Sequence, residues 1–355
     1  MLVALSTIFA VAALAGMFWR RSRLAGTTLL APWWWALLAV ASVALVELGP
    51  RFAPSAAGWL GQSATRYTAY VAMLCPSMAI LGAKRPQDRP WQAIVLSLWA
   101  ILLVPVFSSL FFAGGQLRVE SLWSWFLPIL ILVGLLNPLP TRQAIAGLLV
   151  ALAQLVALGE FLPGVSTRLE DNESLGAWTS QYRTPLVLGL LAAAIAAVHL
   201  RARMTTARRR QIARQAAATS AELAGLSLVW RDFRDAFGSL WALRLAERVN
   251  DSATRYDWSV RLQWDGFEPV PPQKDRTPED DRAAEVPELS NVPEPSNVPE
   301  PSKAVEPGGS SAPTAQTLTA IESSLRVLLR RFVSPEWIDA RLATAAQTLA
   351  SRDRP

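Results

Sequence analysis

Seven stretches of the chain, at residues 1–19, 28–48, 67–83, 91–112, 121–139, 143–162 and 182–200, are strongly apolar and almost free of charge. Each is close to the length at which a helix crosses a hydrocarbon layer about 30 Å thick, which takes roughly 20 residues at 1.5 Å apiece. In lipid every backbone N–H and C=O must find a partner within the protein, so an isolated span has to be helical. None of the runs has the alternating pattern of a barrel strand. Residues 1–200 are therefore expected to form an all-α, polytopic membrane bundle of about seven transmembrane helices. Composition points the same way. Of 355 residues, 52% are hydrophobic and 17% charged, the apolar ones concentrated before residue 200 and the charged ones after it. That balance is too apolar for an ordinary soluble protein and predicts a membrane part joined to a water-exposed part.

Charges between the runs sort into two sets. Arg20, Arg21 and Arg23 follow the first run, Lys84, Arg85 and Arg89 the third, and Arg142 the fifth. The seventh is followed by Arg201, Arg203, Arg208, Arg209, Arg210 and Arg214. The alternate connections hold Arg51, Arg66, Arg118, Arg168 and Arg183 beside Glu160, Glu170, Asp171 and Glu173. Basic residues gather in cytoplasmic loops, so the amino terminus is expected outside and the carboxyl terminus in the cytoplasm. The net charge of +6 is read as an orientation signal and the Arg tract as a membrane surface for anionic lipid headgroups. No nucleic-acid partner is expected. Only Lys84, Lys274 and Lys303 among 34 basic residues are lysines, which points to a GC-rich bacterial genome and so to an inner membrane. The first run ends in small residues, as cleaved signal peptides do, but its positive charge follows the apolar core instead of preceding it, so a retained helix is expected.

Ionisable groups deep in a bilayer mark ion paths and catalytic sites, and the centres of the runs have none. Glu47, Glu160 and His199 fall at run ends, where contact with water is expected. Gln154 is the most interior strongly polar side chain and should bond a neighbouring helix. Pro32, Pro76, Pro105 and Pro128 predict four kinks, and Trp33, Trp34 and Trp35 predict an interfacial belt. One histidine leaves no Ser-His-Asp triad or HExxH zinc site, and GxxxxGK[ST] and GxSxG are both missing. Cys75 is the only cysteine. No catalytic residue, cofactor or metal is expected. An enzyme at the inner surface would need Asp232 and Asp235 to line a cleft, against their plainer reading as solvated helix charges. The outer connections are too short for a folded domain; Phe52, Trp59 and Leu60 in one of them suit an interfacial segment.

Residues 201–267 read as a basic juxtamembrane helix and a short strand. Leu223, Leu226, Trp230, Phe233, Phe237 and Leu240 recur at spacings of three and four, an apolar seam on a helix of roughly 30 residues. Trp241, Leu245 and Val249 extend it. Trp258, Val260, Leu262 and Trp264 then alternate with polar residues, the period of a strand. Its pairing partner is not evident, so it should lie on the helices, pair with a second copy or accept a partner's strand. Residues 268–313 repeat VPELSN, VPEPSN and VPEPSK from 286, 292 and 298, a solvated, disordered Pro/Glu-rich spacer. Residues 314–355 are expected to form an amphipathic helical hairpin. Leu318, Ile321, Leu325, Leu328 and Phe332 make its first seam, and Ser334-Pro335-Glu336 is a helix-start signal. The hairpin should fold back on the 223–240 stripe, or on the same helix of another copy.

These features predict a non-enzymatic multi-pass membrane scaffold, or a signalling or assembly component, whose two seams bind a cytoplasmic partner or a second copy. The alternative is a small-molecule or lipid transporter with a regulatory tail, motivated by the prolines and Gln154.

Overall fold

The computed structural model describes residues 1–52, 62–111, 117, 119, 121–165, 172–215, 221–270 and 313–350. Its first part comprises α1 (Leu2–Arg20), α2 (Leu30–Phe52), α3 (Gln62–Ala72), α4 (Cys75–Leu81), α5 (Asp88–Leu102), α6 (Val104–Phe111), α7 (Ser121–Leu136), α8 (Ala144–Leu158) and α9 (Glu173–Gln215). Five segments are long and apolar enough to cross a membrane: Leu2–Leu24, Leu30–Pro50, Asp88–Ser109, Ala144–Phe161 and Gln181–Met204. By length and composition this is a membrane protein. Two of the seven expected runs are not among these five. The apolar stretch Leu122–Leu136 is shorter, and the 67–83 run is not one helix.

That run divides into α3 and α4 around Met73 and Leu74, because Pro76, the second residue of α4, has no N–H to continue the ladder. Tyr67, Tyr70, Val71, Leu74 and Cys75 are nevertheless completely buried. Interrupted backbone is tolerable in apolar surroundings when other protein groups satisfy it. Here Gln154 donates from Nε2 to the Met73 carbonyl at 2.7 Å, the inter-helix bond its position predicted.

Two of the other prolines behave differently from expectation. Pro32 falls in the first turn of α2, and Pro105 is the second residue of α6, positions where an N–H has no intrahelical acceptor in any case. Pro128 lies inside α7; Pro185, inside α9, was not anticipated. Trp33 is also core and not belt: it is buried and donates to the Met17 carbonyl, while Trp34 is exposed beneath Arg21.

Small residues draw α1 against α9. A Cβ on Gly16 would stand 2.7 Å from Ile195, and one on Gly189 3.0 Å from the Phe9 ring, the close approach that membrane helices use where burial from water does not drive them together. Ala10, Ala13 and Met17 of α1 join one core with residues of α2, α3, α4, α5, α7, α8 and α9.

The second part, called the cap below, contains α10 (Ala221–Phe237), α11 (Ser239–Arg255), strands β1 (Val260–Gln263) and β2 (Gly266–Pro269), α12 (Ala315–Leu329) and α13 (Pro335–Ala350). The single long helix expected here is broken at Gly238, whose φ of +85° suits glycine alone. β1 is not unpartnered. It pairs antiparallel with β2, from Val260 opposite Pro269 to Gln263 opposite Gly266, so the expected spacer starts after this hairpin and its remainder, 271–312, lies outside the described residues. The terminal helices fold back on α10 and α11 into a second core that runs from Leu223 through Trp230, Phe233, Phe237 and Leu245 to Ile321, Phe332 and Ile338.

The cap is fastened to one end of the bundle. Leu29 and Ala83, from two bundle loops, belong to its core. Thr28 donates to the Phe332 carbonyl at 2.9 Å, Ser334 to Gly26 at 2.7 Å and Arg85 to Arg331 at 2.7 Å, all through backbone N–H groups.

Candidate functional site

Asn137, just beyond α7, joins the two parts. Its carbonyl accepts from Ser239 N–H at 3.0 Å and its Oδ1 from Leu240 N–H at 3.1 Å, so it satisfies the free donors that open α11. Gly238 makes room for it: a Cβ there would meet Asn137 Nδ2 at 2.2 Å.

Beneath this junction, between α2, α4, α7, α8 and α9, lies a cavity of about 350 Å³. It exists because Ala39, Gly134, Gly147, Ala151 and Ala194 present little or no side chain to it. Gln154 stands in its wall, Asn137, Thr141 and Gln143 on its rim, and Asp235 in its roof. Gln143 Oε1 is buried with no hydrogen-bond partner, an acceptor open to a ligand hydroxyl or amide. The volume is that of a small-molecule site, apolar with few polar groups.

Charge holds the roof. Asp235 bonds Arg142 at 3.5 Å and Arg234 at 3.0 Å. Arg234 itself is 2% exposed. It donates to the Trp264 carbonyl at 2.6 Å and lies 4.9 Å from the Trp264 ring. Asp232 pairs with Arg341 at 3.2 Å. The two carboxylates weighed for an inner-surface enzyme are therefore each occupied by a guanidinium.

The two predicted seams meet within one chain. Leu223, Leu226, Trp230, Phe233 and Phe237 of α10 are buried, as are Leu318, Ile321, Leu325 and Phe332; Leu240 and Leu328 are half-buried. Phe332 is the point of closure, its ring 5.2 Å from Phe233, 5.3 Å from Phe237 and 5.0 Å from Trp241. Arg201 donates to the Arg142 carbonyl and Arg203 is exposed. Arg208, Arg209, Arg210 and Arg214 continue the same helix, with side chains outside the described set.

At the opposite end is a cluster that the sequence reading placed in water. Glu47 is 4% exposed. One of its oxygens accepts from Arg66 Nε at 3.1 Å and from the Tyr70 hydroxyl, and the other from the Thr184 hydroxyl. Arg183 beside it pairs with Glu160 at 2.7 Å. Two carboxylates and two guanidiniums thus tie α2, α3 and α9 to the 3₁₀ turn Gly159–Phe161. A buried charge needs such partners. The available signal was that residues 47, 66, 160 and 183 all fall on one side of the alternating topology.

Among the described residues no group of three His, Cys, Asp or Glu is placed to hold a metal. No protein-family model, curated protein or solved structure matches the chain.

Proposed function

We propose that the protein is a non-enzymatic, multi-pass inner-membrane signalling or assembly component with a cytoplasmic cap, its amino terminus outside, and seven traverses of which the third is the broken pair α3 and α4. One observation carries the reading: the three basic loops, through Gly26–Thr28, Arg85 and Asn137, all bond the cap at one end of the bundle. Odd-numbered connections thus share a side with the carboxyl-terminal module, as positive-inside topology requires. The Asn137 junction would pass a change in the bundle directly to α10 and α11.

The test uses the full chain in its native membrane. A fluorescent protein fused after residue 355 should fluoresce and an alkaline phosphatase fusion should be inactive. Chemical cross-linking should capture a second copy or a cytoplasmic protein, and Phe233→Asp with Phe237→Asp, which opens the core of the cap, should abolish that product while the chain stays in the membrane if the folded cap makes the contact. Active phosphatase, or no cross-linked product from the wild-type chain, would overturn the proposal.

The cavity favours a second reading, movement of a small molecule or lipid through the bundle. Ala194→Phe would fill the cavity. Transport predicts that it abolishes flux in proteoliposomes at unchanged melting temperature; wild-type protein inactive against a broad panel of apolar and amphipathic compounds would remove this reading.

A further inference from the structure

A second concavity lies on the flank of the cap, where α11, the turn between α12 and α13 and the loop after α4 come together. It holds about 390 Å³ and is lined by Lys84, Arg244, Arg248 and Arg331 around Trp241, with Glu247 as its one carboxylate. Lys84 Nζ stands 5.9 Å and Arg244 Cζ 5.4 Å from the Trp241 ring centroid. The geometry is pinned from below. Trp241 is 7% exposed and donates to the Ile80 carbonyl at 3.1 Å, and the Arg85 N–H holds the Arg331 carbonyl at 2.7 Å.

Six guanidiniums elsewhere, those of Arg66, Arg142, Arg183, Arg234, Arg326 and Arg341, each sit against a carboxylate. Among the described residues, none of the four cations of this cleft does. Like charges converging on one concave surface repel unless a counter-ion joins them, and guanidinium and ammonium groups around such a space bind phosphate oxygens through charge-assisted hydrogen bonds.

We propose that this cleft is a binding site for a phosphate-bearing anion, with Arg244, Arg248 and Arg331 as hydrogen-bond donors, Lys84 as a point charge and Trp241 as an apolar floor. The phosphate belongs either to an anionic lipid headgroup or to a soluble phosphorylated molecule. The site is distinct from the Arg tract of α9 and does not depend on which way the chain crosses the membrane.

The test uses full-length protein in neutral detergent at low ionic strength. Inorganic pyrophosphate is the soluble probe, read by calorimetry, and cardiolipin the lipid probe, read by native mass spectrometry. The wild-type protein should bind at least one, more weakly as salt rises. Pyrophosphate binding alone assigns a soluble ligand, and cardiolipin binding alone assigns a headgroup. Arg244→Gln with Arg248→Gln, both exposed positions, should weaken binding at least tenfold at unchanged melting temperature, while Arg208→Gln, Arg209→Gln and Arg210→Gln together should leave it intact. Should the double variant melt early, Lys84→Gln gives the same readout from a separate loop. Neither probe bound, binding unaltered in the cleft variants, or binding lost only with the Arg-tract variant would each overturn the proposal.

Discussion

Glu47 shows how much a single residue's role depends on its neighbours. Its position near the end of a run reads as a group within reach of water, yet Arg66, Tyr70 and Thr184 enclose it. Glu47→Ala removes the acceptor that all three donors use, and should lower stability against denaturing detergent by about 3 kcal/mol. Glu47→Gln keeps one acceptor oxygen and gives up the charge and the second acceptor, so its loss should be smaller. Equal losses would mean that the charge, not the hydrogen bonds, holds the cluster. Gly238 is decided by backbone instead. Gly238→Ala must keep φ near +85° and displace Asn137; it should cost about 1–3 kcal/mol, seen as early melting of the cap.

At the scale of elements, α3 and α4 depend on a helix that is distant in sequence. The Met73 carbonyl is buried and its partner is Gln154 of α8, so Gln154→Leu should destabilise the bundle by about 1–3 kcal/mol, measured by thermal unfolding in detergent. An unchanged melting curve would show that the break satisfies itself locally. The start of α13 makes a pH prediction. A hydrogen bond from Ser334, then one from its own backbone, hold the Glu336 carboxyl below its ordinary range. A carboxyl with a depressed folded pKa contributes stability above its unfolded value, about 4.3, and that contribution fades as pH falls through the folded pKa. Hydrogen exchange of the first α13 amides should therefore be slower in the wild-type protein than in Glu336→Gln at neutral pH, the difference vanishing in acid. The seams, the strand and the helix start at Pro335 were legible because period and capping chemistry are local. The β2 partner was not, since Phe267, Glu268 and Pro269 carry no alternation of their own.

For the whole molecule the decisive contact is Phe332, which closes three rings of the cap while its carbonyl holds Thr28 of the bundle. Phe332→Ala should cost about 3–4 kcal/mol of cap stability, and hydrogen exchange should rise together in α10, α12 and the 26–28 loop. Faster exchange confined to α12 would mean that cap and bundle are not coupled. Sequence alone determined the apolar segments, the helical state of most of the chain, the charge asymmetry of its connections and both amphipathic stripes, because chain geometry and the cost of bare backbone in lipid act over a few neighbouring residues. Tertiary structure alone decided that the third run is a buried, broken pair, that the stripes face each other, that Glu47 is enclosed, and that four cations from three separate segments share one cleft. Each of those outcomes depends on which distant groups arrive at the same place, and packing, not periodicity, determines that.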